Sequence, residues 1–380
     1  MVTYETAVRD DRAAILDFAN LVFSMAHRPH DFSRMVPKVY GANAPLFQPD
    51  KHFIAREEGQ IRAMVATLPV PARLAGRELT AGFIGTVSTH PYHRGRGGMK
   101  ALMAMAMEYA RREGYAYLAL GGRRQRYGYF GFTPAGMKAA HMLCGDNIRH
   151  ALGGVDSSRI SLKAVTGNSD PLLDAIFGMY DGQAAAGSRS RDNFLIICQS
   201  WSASLYAVTD GGGCVGYVIA NESGKVSELV LADPARHAKP FFKAWYIANG
   251  EFRLEVPMFD TKLQREAADI CEYFTDEQEF KMRVVDWEAT LDAAMALKRL
   301  THPMPDGRWT IRIDEQEPLT LEVSGSDTSV RRGGRAVDAE MTAVQAQEAI
   351  FSRESLLLPI SNAPQGWFPL TLGSRSADGF

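Results

Sequence analysis

Apolar residues recur along the first third of this chain with two alternating periods. Tyr4–Val8 alternates like a short strand. Ile15, Phe18, Ala19 and Val22 then mark one face of a helix, with Asp10 and Asp11 at its acidic start. "HFIA", a turn at "REEGQ" and "IRAMVATLPVPARLAG" predict a hairpin, and "ELTAGFIGTVSTH" predicts a further strand. From about Gly98 to Glu113 the 3.6-residue period returns. It turns Leu102, Met103, Ala106, Met107 and Ala110 inward and stops at Gly114, a natural helix terminator. "YAYLAL" is the next strand, leading into "GGRRQRYGYFGF".

The same rhythm recurs more faintly downstream. "LYAVTD" and "CVGYVIAN" flank a glycine turn, "KVSELVLADP" is a strand, "ARHAKPFFKAWYIAN" a helix and "FRLEVPMF" a strand. Beyond Val284 the pattern gives a helix at Trp287–Leu300, strands at "RWTIRID" and "LTLEVSG", and a helix from Ala343 to Phe351. No low-complexity linker separates these parts. At 380 residues the chain implies two or three domains, since single cores rarely grow beyond about 250–300 residues.

Charge narrows the partners. The formal net charge is -2, so no global field recommends nucleic acid or an anionic membrane, and any anion site has to be local. No apolar run has the length of a membrane span, and the N-terminus has no signal core, which points to the cytoplasm. Cys144, Cys198, Cys214 and Cys271 are scattered without a C-x-x-C pair, against a disulfide framework or structural zinc.

The local candidate is the joint "STHPYHRGRGGMKAL", Ser88–Leu102, where a predicted strand runs into a predicted helix. A helix start leaves main-chain N–H groups unpaired, and the helix dipole adds about half a positive charge there. Gly95, Gly97 and Gly98 would let a diphosphate approach those amides, with Arg94 and Arg96 beside them. The spacing is neither a Walker loop nor a dinucleotide fingerprint. Taken alone, the joint reads either as an anion cradle or as a glycine turn beside solvated arginines.

The order "TVSTHPYHRGRGGMKALM", helix, strand, "RYGYFGF" resembles the GNAT superfamily of N-acetyltransferases. That family's pyrophosphate loop, Q/R-x-x-G-x-G/A, is matched by Arg94, Gly97 and Met99, the last departing from the usual small residue. The resemblance implies acetyl-CoA as co-substrate, held by the strand residues Val87, Ser88 and Thr89, by the loop Arg94–Met99 and by Gly122. It also implies Tyr127 as general acid. Across its whole length the chain resembles the enhanced intracellular survival (Eis) acetyltransferases. The implied fold is α/β. It has a GNAT domain (1–145), a degenerate GNAT-like domain (146–284) and a sterol-carrier-like tail (285–380).

By the same resemblance the acceptor is a primary amine (aminoglycoside-like, polyamine or lysine-type), the α-carboxylate of Phe380 is the base, and the protein is a homo-oligomer. The joint "VSELVLADPARHAKP" of the second domain has no glycines and should hold no diphosphate. His90 and His93 read as structural or phosphate neighbours. Arg123, Arg124 and Arg126 read as a solvated loop or as phosphate contacts. Phe23, Met25, Phe32 and Met35 read more as core than as pocket. Transfer of a longer acyl group and non-catalytic binding of acyl-CoA stay open as alternatives.

Overall fold

The computed structural model describes the chain except residues 27, 28, 188, 335, 358, 359, 361, 374 and 380. Phe380 therefore lies outside the described residues. The first unit opens with β1 (Thr3–Thr6), followed by the helix Arg12–Ala26, β2 (His52–Glu57), β3 (Gln60–Leu74) and β4 (Arg77–Thr89). The helix Gly98–Arg112, β5 (Tyr117–Leu120), the short helix Arg124–Gly128 and β6 (Thr133–Leu143) complete it. Ile15, Phe18, Ala19 and Val22 are the buried residues of the first helix, as the spacing implies. In the helix Gly98–Arg112 the buried set includes Tyr109, while Met107 is only half-buried.

The second unit contributes β7 (Ile160–Ala164), β8 (Ala185–Gly187), β9 (Ala203–Asp210), β10 (Gly213–Asn221), β11 (Lys225–Leu231), the helix Pro234–Asn249 and β12 (Phe252–Pro257). β13 (Tyr273–Val284) follows, a strand the sequence pattern did not announce. The two units share one sheet, ordered β1-β2-β3-β4-β5-β13-β6-β12-β11-β10-β9-β7, with β8 added to β3. β13 enters between β5 and β6, antiparallel to both. It packs its late residues Phe280, Met282 and Val284 into the core. Its middle carries carboxylates that find cations on β6 and β12: Glu279 meets Lys138 at 3.2 Å and Glu277 meets Arg253. That charge density hid the strand from a hydrophobic pattern.

The third unit has the helix Trp287–Thr301 and a second sheet made of β14 (Gly307–Ile313), β15 (Leu319–Ser324), β16 (Asp327–Arg332) and β17 (Ala339–Met341), ordered β16-β15-β14-β17. Trp309, Ile311, Leu321, Val323 and Trp367 fill its inner face and join one core with Phe280, Met282 and Leu291. The helix Ala343–Phe351 starts in a capping box of Thr342 and Gln345. It also carries Gln347, which is 1% exposed. The amide of Gln347 donates to Gly131 O at 3.0 Å and to Thr133 Oγ1 at 3.2 Å, and its carbonyl accepts from Val284 N at 2.7 Å. Arg124 adds ion pairs to Glu348 at 3.4 Å and Glu354 at 3.7 Å. The third unit thus grips the segment just after Tyr127.

Replacing Gln347 with Leu keeps the bulk but leaves Gly131 C=O and Val284 N–H without partners. Each orphaned buried group costs about 1–3 kcal/mol, so urea unfolding of Gln347→Leu is expected to show a loss of roughly 2–4 kcal/mol. A loss within 0.5 kcal/mol or so, the size of an ordinary surface change, would mean that the amide is not the clamp described.

Candidate active site

β4 and β5 run parallel and pair only from Ala81/Tyr117 to Ile84/Leu120. Past that point β5 ends and β4 continues alone on this side to Thr89. A bulge marks the parting. β3 passes one residue between Met64 and Ala66 where β4 passes two, Thr86 and Val87, between Gly85 and Ser88. Thr86 sits at φ 46, a left-handed conformation that disfavours a β-branched residue. The Ser88 hydroxyl donates to Thr86 O at 2.9 Å.

A buried polar chain holds this strained residue. His52 Nδ1 lies 2.8 Å from Gln48 O, a pure acceptor, so Nδ1 carries the proton and Nε2 is left to accept. Tyr40 Oη, 3.2 Å from Nε2, therefore donates to it and accepts in turn from Thr86 Oγ1 at 3.0 Å. Burial pushes the His52 pKa down to about 4, so the ring is neutral at physiological pH. Neither Tyr40 nor His52 is signalled in the sequence, since the contact is made across separate elements.

β4 delivers the chain to the glycine-arginine loop. Val87 and Thr89 are half-buried and Ser88 is buried. Beyond them a 3-10 turn, Pro91–His93, leads to Arg94, Gly95, Arg96 and Gly97, all exposed, then to half-buried Gly98 and Met99. Gly95 at φ 77 and Gly97 at φ 80 are left-handed, which explains the glycines. Gly97 is the N-cap of the helix Gly98–Arg112 and supplies no side chain to its amides. Among the described residues no main-chain N–H from Gly95 to Lys100 meets an acceptor, and bonding resumes at Ala101 N, 3.1 Å from Gly97 O. A Cβ added at Gly97 would meet no atom within 4 Å beyond its own chain neighbours. The arrangement is an open row of N–H donors at a helix start, suited to an anion.

Both histidines of the joint stay at its margin. His93 Nδ1 lies 3.3 Å from Glu57, which also draws Arg96 to 3.7 Å. His90 donates its main-chain N–H to Arg62 O at 2.9 Å. Arg94 has no ion-pair partner among the described residues.

The helix Arg124–Gly128 follows the end of β5. Tyr127 is its buried residue, in a cluster with Ile84, Leu120 and Phe132 at the point where the strand pairing stops. Desolvation raises its pKa, with Arg126 acting the other way, so the phenol stays protonated at neutral pH. Gly122 at φ 101 fits against this ring: a Cβ there would fall 2.8 Å from Tyr127 Cε2. Of the arginine run, Arg124 is turned to the third unit, while Arg123 and Arg126 are exposed.

The last described residues close the other side. Arg189, buried, grips Glu228 through both terminal nitrogens at 3.2 and 2.9 Å and Asp378 at 2.7 Å. Lys38 Nζ donates to Ala377 O, and burial draws the Lys38 pKa down to about 7. Trp201 Nε1 donates to Gly379 O at 3.3 Å. Between this tail and the end of β5 is a cavity of ≈ 340 Å³ with Phe83, Gly121, Trp201, Phe280, Arg375 and Gly379 in its wall. It thus reaches from the residue before Gly122 to the residue before Phe380. Phe23, Phe32 and Met35 pack in the first unit's core instead, and Met25 is exposed. The signals missed in the sequence are Trp201 and Asp378, which only the tertiary structure brings to this place.

The second unit repeats the strand-to-helix joint in closed form. Asp233 caps the helix Pro234–Asn249, its carboxylate accepting from Arg236 N at 3.3 Å, and proline fills the first helical position. A bound side-chain anion already occupies the place where the first unit is open.

Residues 3–135 match the family model described as the acetyltransferase (GNAT) domain. No curated protein matches the chain. Among solved structures, a GCN5-related N-acetyltransferase from Anabaena variabilis superposes with a TM-score of 0.65 at 14% identity, covering 94% of this chain and 93% of that one. Eis1 from Mycobacterium abscessus gives 0.62 at 16% identity over 100% of both chains. A probable N-acyltransferase from Enterococcus faecalis gives 0.62 at 14% identity over 90% and 88%. The fold is thus mixed α/β with tandem GNAT-like units. No described helix is long and apolar enough to cross a membrane.

The His52 chain makes a pH prediction. Its folded pKa, about 4, lies below the usual histidine value near 6.5. Between these pH values the unfolded chain binds more protons, so stability falls as pH drops through that window. In His52→Gln this contribution is absent. The stability difference between wild type and variant, from urea unfolding at pH 6.5 and pH 4.5, is expected to shrink at the lower pH by order 1 kcal/mol per unit. An unchanged difference would refute a neutral, buried His52.

Proposed function

We propose that the chain is an acetyl-CoA-dependent N-acetyltransferase of the Eis-like type, acting on a primary amine. One observation carries this: an uncapped helix start with a run of free amides stands beyond a strand whose edge is unpaired, and a buried phenol shares a cluster with the last paired residues, Ile84 and Leu120. In this reading the amides of Gly95–Met99 and Arg94 hold the diphosphate. The main chain of Val87–Thr89 aligns the pantetheine arm, which passes Gly122. Positioning of this kind contributes on the order of 7–11 kcal/mol to the rate.

The chemistry needs two proton transfers. The amine nitrogen attacks the thioester carbonyl, forming the C–N bond as the C–S bond breaks. The proton leaving nitrogen goes to the α-carboxylate of Phe380, and Tyr127 Oη gives one to the departing sulfur. Solvent then returns the proton from carboxyl to phenolate, leaving free thiol and the amide. Gly379 in the cavity wall supports the role given to Phe380. The second unit walls the cavity. In the same proposal the third unit is a packing and oligomer-forming domain of sterol-carrier-like type, whose inner face is filled by Trp309 and Trp367.

Thiol release from acetyl-CoA over a panel of primary amines tests the activity. Tyr127→Phe is expected to lower kcat by about 10²–10⁴-fold, the usual share of general-acid assistance, with little change in KM. A chain lacking Phe380 should lose turnover while binding acetyl-CoA normally. A Tyr127→Phe protein that keeps most of its kcat would return this side chain to the aromatic core.

A further inference from the structure

The cavity restricts which amine can enter, given the acetyl-transfer reading on which this inference rests. The carboxylates in and behind its wall already have internal partners. Glu279, in the wall, is held by Lys138 at 3.2 Å. Glu255 behind it receives Lys138 at 2.7 Å, Lys225 at 2.9 Å and Arg253 at 3.3 Å. Under the tail, Glu228 and Asp378 are bound by Arg189, and Tyr217 donates a further bond to Glu228 at 2.5 Å. The cations Lys225 and Arg375 also line the space, Lys225 paired with Glu255 and Arg375 3.8 Å from Glu228. Among the described residues no carboxylate of the wall is left without a cation, and the Phe380 carboxylate of the proposed reading can compensate one ammonium, so each further ammonium would leave water uncompensated, which is costly.

The rest of the wall is apolar and aromatic: Phe83, Ile219, Phe280 and Trp201. Trp201 is 39% exposed, at φ 63, and Ser202 beside it is at φ 58. Two successive non-glycine residues in the left-handed region store strain, and such strain concentrates where a side chain is presented for use. The indole N–H is anchored on Gly379 O, which fixes the ring beside the tail.

We propose that the acceptor is a compact monoamine with a flat apolar body, seated against Trp201, and that polyamines and aminoglycosides are poor substrates. Its single ammonium loses its extra proton to solvent before attack, and its body lies between Phe280 and Trp201.

The test compares 2-phenylethylamine with spermidine as acceptors for the full-length chain, by thiol release at saturating acetyl-CoA and constant ionic strength. kcat/KM is expected to favour 2-phenylethylamine by at least about tenfold, the scale of one desolvated charge or aromatic contact. Trp201→Ala should raise KM for that amine by about five- to thirtyfold, with acetyl-CoA affinity unchanged by calorimetry. Trp201→Phe, which keeps a ring but loses the bond to Gly379, should recover most of this. Lys225→Glu should narrow the preference by adding the missing negative charge. Spermidine turned over as well as or better than 2-phenylethylamine would overturn the inference, whatever the variants do. Acetyl-CoA bound but no thiol released with any primary amine would instead overturn the acetyl-transfer reading, and this inference with it.

Discussion

The parting of β4 from β5 beyond Ile84 and Leu120 is the constraint on which the site depends. A continuous parallel ladder there would satisfy the strand edge and leave no gap for a ligand to enter. The bulge at Thr86 and Val87 diverts the strand, at the cost of a β-branched residue at φ 46, about 1–2 kcal/mol. The hydrogen-bond run Thr86–Tyr40–His52–Gln48 offsets that cost, because its members are buried and each has a partner. The four-residue helix Pro37–Tyr40 links this device to the far side of the cavity. Tyr40 steadies the bulge, and Lys38, two residues earlier, holds Ala377 of the tail. The two walls of the candidate site are thus tied to one short element.

The tandem units show how little separates an open helix start from a capped one. Both have a strand running into a long helix, Gly98–Arg112 in one and Pro234–Asn249 in the other. In the first, glycines at positive φ bare the amides. In the second, Asp233 supplies its own carboxylate to the same kind of donors. The difference is one of capping chemistry and not of fold, which is why the two units can share a sheet through β6 and β12 while one carries the candidate chemistry.

Local structure was legible in the sequence, and distant contacts were not. The glycine-arginine joint, the helix after it, the hairpin of β9 and β10 and the glycine-free second joint all follow from spacing within about twenty residues, the reach of pattern arguments. β13 escaped because carboxylates interrupt its alternation, and only Lys138 and Arg253 on other strands explain them. Gln347 reads as an ordinary helix residue until Gly131 and Val284 are found at its amide. Trp201, Arg189 and Asp378 come together from segments far apart in sequence, so no periodicity points to the cavity they build.

The central claim is that the open amides at Gly97 receive the diphosphate of acetyl-CoA. Gly76 offers a matched control, since it too lies at φ 80 with nothing within 4 Å of an added Cβ, but in the turn between β3 and β4. Valine at either position imposes the same backbone strain, and only at Gly97 does it stand over the helix start. Calorimetric titration of folded Gly97→Val and Gly76→Val with acetyl-CoA separates strain from site. The account predicts an affinity loss of at least about tenfold, 1.4 kcal/mol, for Gly97→Val alone. Equal affinity in the two variants would contradict it.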